Sequence, residues 1–380
     1  MIDGLDRGLP NRYYDNRQDF VAERQKIFAP MWVCIGFASD APAPGDVYPL
    51  EFMELPLLLV RDNDGGLRVF HNVCRHRGHI LVTKPGTLGQ SLRCPYHSWT
   101  YALDGALLRT PHIGGSGVHD ASGFERSKYP LVAVRSALWN DLVFVNLDGE
   151  AGPFDQFIEP LEKRWADLWG ASGPGELRCA PDHSSITFEL DTNWKLAVEN
   201  FLEAYHLPTV HPDLNTISPL NAHETYISHH FAGQLAHSYN LNIGAGEHLP
   251  VFSDWPPQSL GEAEYPALFP NTLLGLQADH LFVMVVIPLA YDRTREETRL
   301  YCAGDSALAE KYRPRRSEQH AFWTRVFQED VSAVTGMQKG RASPGFDGGV
   351  LSPVMDTATA AFHRWAAERL GVNRTVPSES

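Results

Sequence analysis

Several things are scarce in this 380-residue chain, and each scarcity removes a class of protein. There are only five cysteines, an odd number, so no disulfide framework is expected. Positive charge is short: 32 Lys and Arg stand against 46 Asp and Glu, a formal charge of −14. No basic stripe interleaved with aromatics occurs, so nucleic-acid binding has no electrostatic support. Long apolar runs are missing, the longest lying around 55–60 and 281–289, far short of the ~20 residues a membrane-spanning helix needs. Residues 1–7 lack the apolar run of a signal peptide, so a cytoplasmic location is expected. Neither internal repeats nor low-complexity tracts are present. What remains, at 43% hydrophobic, 21% charged and 11% aromatic residues, is the profile of a soluble globular protein with a large core. The length suggests two domains.

Along the chain, residues 1–30 read as a helical lead-in, with apolar residues at helical spacing through 20–28. From 31 to 148 the pattern becomes short β-like runs. Runs at 57–61 and 67–71 flank Asn63-Asp64-Gly65-Gly66, and runs at 99–103 and 106–109 flank Asp104-Gly105, both hairpin signals. Residues 142–146 close the series as a buried strand. We therefore expect a small all-β domain over 31–150 and a second domain over 151–380. The second should contain a helix at 154–169, a strand at 185–191 and an amphipathic helix at 192–206. A hairpin at 281–289 and 298–303, turned by residues 291–294, should follow. Long helices are expected at 306–338, interrupted by Pro314, and at 357–370, with the last four residues frayed.

Two cysteines have company. Cys74-Arg75-His76 and Cys94-Pro95-Tyr96-His97 form C-x-H and C-x-x-H, separated by 17 residues. A [2Fe–2S] cluster with two thiolates on one iron and two imidazoles on the other needs this ligand set. A tetrahedral Zn²⁺ is the rival, although zinc sites usually space like ligands together, as C-x₂₋₄-C and H-x₃₋₅-H. The words around the motif, from Asn72 to Gly78 and from Cys94 to Trp99, resemble those of the Rieske non-heme iron ring-hydroxylating oxygenases, large-subunit family. The resemblance implies that Cys74 and Cys94 hold the inner iron and His76 and His97 the outer one. Cys34, Cys179 and Cys302 read as buried apolar residues.

The second domain holds a matching signal. Glu199, Glu203 and His206 fall at i, i+4 and i+7 of the expected helix, hence on one face. Pro208 should turn the chain so that His211 returns. Two His plus one carboxylate is the ligand set for an Fe(II) that keeps positions open. The string Glu199-Asn200-Phe201-Leu202-Glu203-Ala204-Tyr205-His206, then His211-Pro212, is similar to the family's catalytic motif. For the carboxylate, Glu329, Asp330, Asp347 and Asp356 are candidates. The resemblance of 328–330 and 337–340 to the family's C-terminal helix selects Asp330, although Thr335 stands where relatives often have an acid. The resemblance further gives Glu203 the role of a bridge to a cluster His of a neighbouring subunit, which implies a head-to-tail homotrimer, and it leaves Glu199 as an outer support of the iron site.

The fold implied is α+β: an N-terminal Rieske [2Fe–2S] β-domain, then a helix-grip (START-like) domain whose antiparallel sheet wraps a long helix. The reaction implied is O₂-dependent hydroxylation of a small organic substrate, aromatic by preference, with electrons from NAD(P)H through a ferredoxin and/or flavin reductase. The alternative is monooxygenation or N-demethylation of a small quaternary ammonium compound. A non-catalytic electron carrier is the third possibility, against which the intact His206 and His211 count. His223, His229, His230, His237 and His248 read as solvated loop histidines, with the lining of a substrate pocket as the alternative. Phe252, Trp255, Phe282 and Tyr291 read as core, with an aromatic cage as the alternative.

Overall fold

The computed structural model describes residues 6–241 and 247–372; the terminal residues read as frayed lie outside these. The chain divides into two compact units. One is Pro30–Ala151, and the other joins the segment ahead of Pro30 to Gly152 and beyond.

The smaller unit is all β. Its seven-stranded antiparallel sheet runs, in spatial order, Val33–Phe37, Leu142–Asn146, Ala133–Trp139, Leu67–His71, Leu55–Arg61, Asp46–Phe52 and Gly86–Thr87. The hairpin expected at Asn63–Gly66 is present, pairing Leu57 with His71 through Arg61 with Leu67. A three-stranded sheet of Ser91–Arg93, Thr100–Ala102 and Leu107–Arg109 carries the second hairpin. Leu58, Val60, Phe70, Leu92, Trp99 and Tyr101 form a core that also contains Cys74 and Cys94. Each fully buried aliphatic or aromatic side chain there contributes about 1.5–3 kcal/mol.

In the larger unit eight antiparallel strands form one sheet. Leu177–Cys179 and Ser185–Leu190 both pair with Arg293–Ala303, followed by His280–Ala290, Thr272–Leu276, Ala263–Leu268, Phe231–Ala236 and His223–Ile227. The helices at Phe154–Trp169 and Thr357–Leu370 fall where the periodicity put them. Others differ for local reasons. The expected helix at 192–206 runs only from Trp194 to Phe201. Asn193 starts it, accepting the Lys195 N–H at 3.1 Å. Beyond its end, the Glu203 carboxylate accepts the His206 backbone N–H at 3.1 Å. His206 then opens a short helix, Leu207–Val210, with Pro208 in its first turn. Proline is tolerated there because that N–H has no intrahelical partner, so Pro208 admits a helix at Leu207 rather than blocking it. Pro314 likewise sits in the first turn of the 29-residue helix Arg313–Arg341 instead of interrupting one. The long hairpin turns more tightly than expected, since Arg293 and Thr294 already pair with Ala290 and Pro288.

Helix Trp194–Phe201 is pinned from several sides. Gln338 of the long helix accepts the Asn193 N–H at 2.9 Å and donates to the Tyr14 carbonyl at 3.1 Å. Thr192 Oγ1 donates to the Val334 carbonyl at 3.2 Å. Lys195 and Glu23, both wholly buried, form an ion pair, and Trp194 Nε1 donates to the other Glu23 oxygen at 2.7 Å. Removing one partner of such a pair strands the other without solvent. Glu23→Ala should therefore lower unfolding stability by about 3–5 kcal/mol, read as a fall in the urea midpoint; a loss within about 0.5 kcal/mol, as at ordinary surface positions, would show that Lys195 does not depend on Glu23.

Candidate metal centres

The two loops bearing the Cys/His pairs are built alike. The Cys74 N–H donates to the His79 carbonyl (2.8 Å) and its carbonyl accepts from the Gly78 N–H (3.0 Å); Cys94 does the same with Trp99 (2.8 Å) and Ser98 (3.0 Å). The fourth residue after each cysteine has left-handed backbone, with φ +74° at Gly78 and +58° at Ser98. Glycine adopts this freely, whereas serine does so at a cost; the Arg93 guanidinium donates to the Ser98 hydroxyl at 2.7 Å. Repeating one turn sends both thiols into the core and sets the His76 and His97 rings 4.6 Å apart.

These side chains fit a metal cluster. Burial raises the Cys74 pKa, and the neighbouring Cys94 adds to it, as expected of two thiols lacking a positive partner. The Tyr101 hydroxyl lies 3.3 Å from Cys74 Sγ. Burial, then His97 and Arg77, hold the His76 pKa down, favouring the neutral imidazole that binds metals. His97 Nδ1 is buried without a hydrogen-bond partner among the described residues. The four donors are not gathered about one point, as a single tetrahedral zinc would require.

The second constellation does gather about a point. Donor atoms of His206, His211 and Asp330 all lie within 4.8 Å of one another. Each imidazole is gripped at Nδ1 by a carboxylate, His206 by Glu203 (2.6 Å) and His211 by Glu329 (2.7 Å). The Nε2 atoms face Asp330 Oδ1, at 3.7 Å from His206 and 2.8 Å from His211. Asn200 Nδ2 donates to the same oxygen at 2.7 Å. Burial opposes a charge on His211, but Asp330 and Glu329 more than offset it and raise its pKa. Imidazoles anchored at one nitrogen and free to ligate at the other are what a bound metal requires.

Other candidates go elsewhere. Asp347 accepts the Asn11 N–H (2.8 Å) and Asp356 the Ser352 N–H (2.6 Å), so neither joins the cluster. Glu199 accepts from the Tyr14 hydroxyl (2.5 Å) and pairs with His363 (2.9 Å) and Arg341 (3.5 Å); it reaches none of the three clustered residues.

A cavity of about 80 Å³ opens beside the cluster, lined by His206, His211 and Asp330 with Phe201, Tyr265, Phe282, Met284, Trp323 and Phe327. Of the four residues considered for an aromatic cage, Phe282 lines it, and Phe252, Trp255 and Tyr291 do not. His223 also lines it, its Nε2 3.0 Å from Ser218 Oγ, and so is not a solvated loop residue.

Two family models match the chain. That of the Rieske [2Fe–2S] domain covers residues 31–120, and that of the ring hydroxylating alpha subunit (catalytic domain) covers 178–372, just over half of the sequence. The chain belongs to the Rieske ring-hydroxylating oxygenase alpha-subunit family. Members are oxidoreductases that incorporate molecular oxygen, with a [2Fe–2S] cluster in the first domain and a mononuclear iron in the second.

Within the Rieske oxygenase family, the carnitine monooxygenase oxygenase subunit of Escherichia coli (strain K12) is 26% identical over 90% of this chain and 86% of its own. The glycine betaine monooxygenase oxygenase subunit of Pseudomonas aeruginosa is 25% identical over 95% and 89%. The 2-aminobenzenesulfonate 2,3-dioxygenase subunit alpha of an Alcaligenes species is 32% identical over 52% and 48%. Among solved structures, a quaternary ammonium Rieske monooxygenase in complex with gamma-butyrobetaine superposes with TM-score 0.77 at 23% identity, covering 96% of each chain. Naphthalene 1,2-dioxygenase from Rhodococcus sp. gives 0.77 at 20%, covering 97% and 95%. Both likenesses concern the fold.

Sequence reasoning assigned no role to Asn200, and it weighed Glu329 only as a ligand. Both act by holding ligand candidates through hydrogen bonds, which no spacing reveals. Glu329→Ala should weaken Fe(II) binding about 10–100-fold while leaving the [2Fe–2S] absorption unchanged, as read by metal titration; unchanged affinity would show that Glu329 does not orient His211.

Proposed function

We propose that this Rieske oxygenase uses O₂ and two electrons to oxygenate a small ammonium compound in the cytoplasm, the electrons coming from NAD(P)H through a ferredoxin and/or flavin reductase. The observation that carries the reading is the convergence of His206, His211 and Asp330 on one cavity, with both imidazoles oriented by carboxylates. In this reading Cys74, His76, Cys94 and His97 hold the [2Fe–2S] cluster, and His206, His211 and Asp330 hold the mononuclear iron. Iron held by these two imidazoles and one carboxylate would supply O₂ activation. The rest falls to the chain. Asn200 and Glu329 hold Asp330 and His211 in place, and the apolar cavity walls exclude water.

Glu203 would carry the electron path. It grips His206 at both ring and backbone, and it borders the substrate cavity as well as a second recess of about 510 Å³. In a head-to-tail homotrimer a cluster histidine of the neighbouring subunit would meet the carboxylate through that recess, a heterologous contact that closes into a ring. The relatives acting on carnitine and glycine betaine support an ammonium substrate. Ring hydroxylation is the second reading, supported by the aminobenzenesulfonate dioxygenase relative and the ring-lined wall.

A single-turnover assay tests this without the partner. The protein is reduced chemically, freed of reductant and exposed to O₂ with choline, carnitine, glycine betaine and benzoate, and products are read by mass spectrometry. A hydroxylated or demethylated amine is expected; a hydroxylated ring would establish the second reading. Asp330→Ala should form no product with its [2Fe–2S] absorption intact, and retained product would sink that ligand assignment. Glu203→Gln should keep both metals yet slow cluster reoxidation about 100-fold.

A further inference from the structure

One acidic side chain lining the cavity, Glu296, is neither an iron-ligand candidate nor bonded to one among the described residues. Strand Arg293–Ala303 turns Thr294, Glu296, Thr298 and Leu300 inward by simple alternation. Glu296 is 7% exposed and lines the cavity that holds His206, His211 and Asp330. No hydrogen-bond donor or cation among the described residues reaches its carboxylate. Burial, then the charge of Asp330, pushes its pKa up to about 8. Burial of a carboxyl with no partner disfavours its charged form, so an ionised Glu296 calls for a cation that arrives with the ligand. Its surroundings say what. Phe282 packs against Trp323 and Phe327 at ring-centroid distances of 4.5 and 5.3 Å, giving the same cavity aromatic surface. Aromatic faces and one carboxylate suit a methylated ammonium group, which carries its charge on C–H surface and offers no N–H. A neutral ring gains nothing from the carboxylate and would leave it buried and bare.

We propose that Glu296 is the counter-charge for a cationic substrate headgroup, and that it sets selection of ammonium compounds over neutral molecules of the same shape. The proposal rests on the reading of this cavity as the substrate site and adds the residue that reads the charge.

The test uses the holoenzyme with cluster and iron loaded, titrated calorimetrically with choline and with its neutral isostere 3,3-dimethylbutan-1-ol. Wild type should bind choline roughly 30-fold or more tightly than the alcohol. Glu296→Gln should remove most of that preference by weakening choline alone, Glu296→Asp should retain part of it, and iron content and [2Fe–2S] absorption should stay unchanged in both. A Gln variant that keeps the preference, or that weakens both ligands equally, overturns the role of Glu296 while leaving the ammonium reading standing. Wild type that binds the two alike, or does not bind choline, overturns the ammonium reading and this proposal with it.

Discussion

An imidazole has two nitrogens, and in the larger unit two histidines have both committed. Nδ1 of His206 goes to Glu203 and Nδ1 of His211 to Glu329, which leaves both Nε2 atoms facing Asp330. Much of the local architecture follows from that requirement. The helix ends at Phe201, and Glu203 turns back on His206. Glu329 and Asp330 are consecutive residues of the long helix yet reach opposite nitrogens of one ring, which fixes the rotation of that helix about its axis. Gln338, roughly two turns further on, fixes its position along the axis by bonding Asn193 and Tyr14.

Buried charge keeps this arrangement from slipping. Glu23 with Lys195, and Glu199 with Tyr14, His363 and Arg341, tie the short helix to the lead-in, the long helix and the last helix. Such groups add little net stability over apolar replacements, because desolvation cancels most of the attraction. Any other packing of these helices would leave a charge bare, which restricts the alternatives. Glu296 stands outside this economy as the buried acid in the cavity without a partner among the described residues. The smaller unit uses a different device, one turn geometry repeated in two loops, so that a pair of thiols enters the core while a pair of rings stays nearer its rim.

Much of this was legible in the residues. Both Cys/His pairs and the Glu199 to His211 string are short segments whose ligand types sit within a few positions of one another, and local spacing survives folding. Hairpins and long helices were legible for the same reason. The ends of helices were not: one helix ends at Phe201 instead of reaching His206, and Pro208 and Pro314 sit in first turns instead of breaking helices. Asp330 was chosen by family resemblance. Glu296 carried a faint signal, an acid alternating with Thr294, Thr298 and Leu300, but alternation alone does not say whether the inward face meets core or cavity.

By itself, then, the sequence determined the two units and the candidate ligand types, since these depend on residue types at short separations and on hydrophobic period, while the class of reaction came from the family those motifs resemble. The tertiary structure brought Asp330, which the resemblance had selected, to the two histidines, and it alone decided which acids orient them and which one faces the cavity without a partner among the described residues. Apart from Glu203, which sits three residues before His206, those choices join residues more than a hundred positions apart, and they are set by how the long helix and strand Arg293–Ala303 pack around the site, a cooperative outcome that no local pattern encodes.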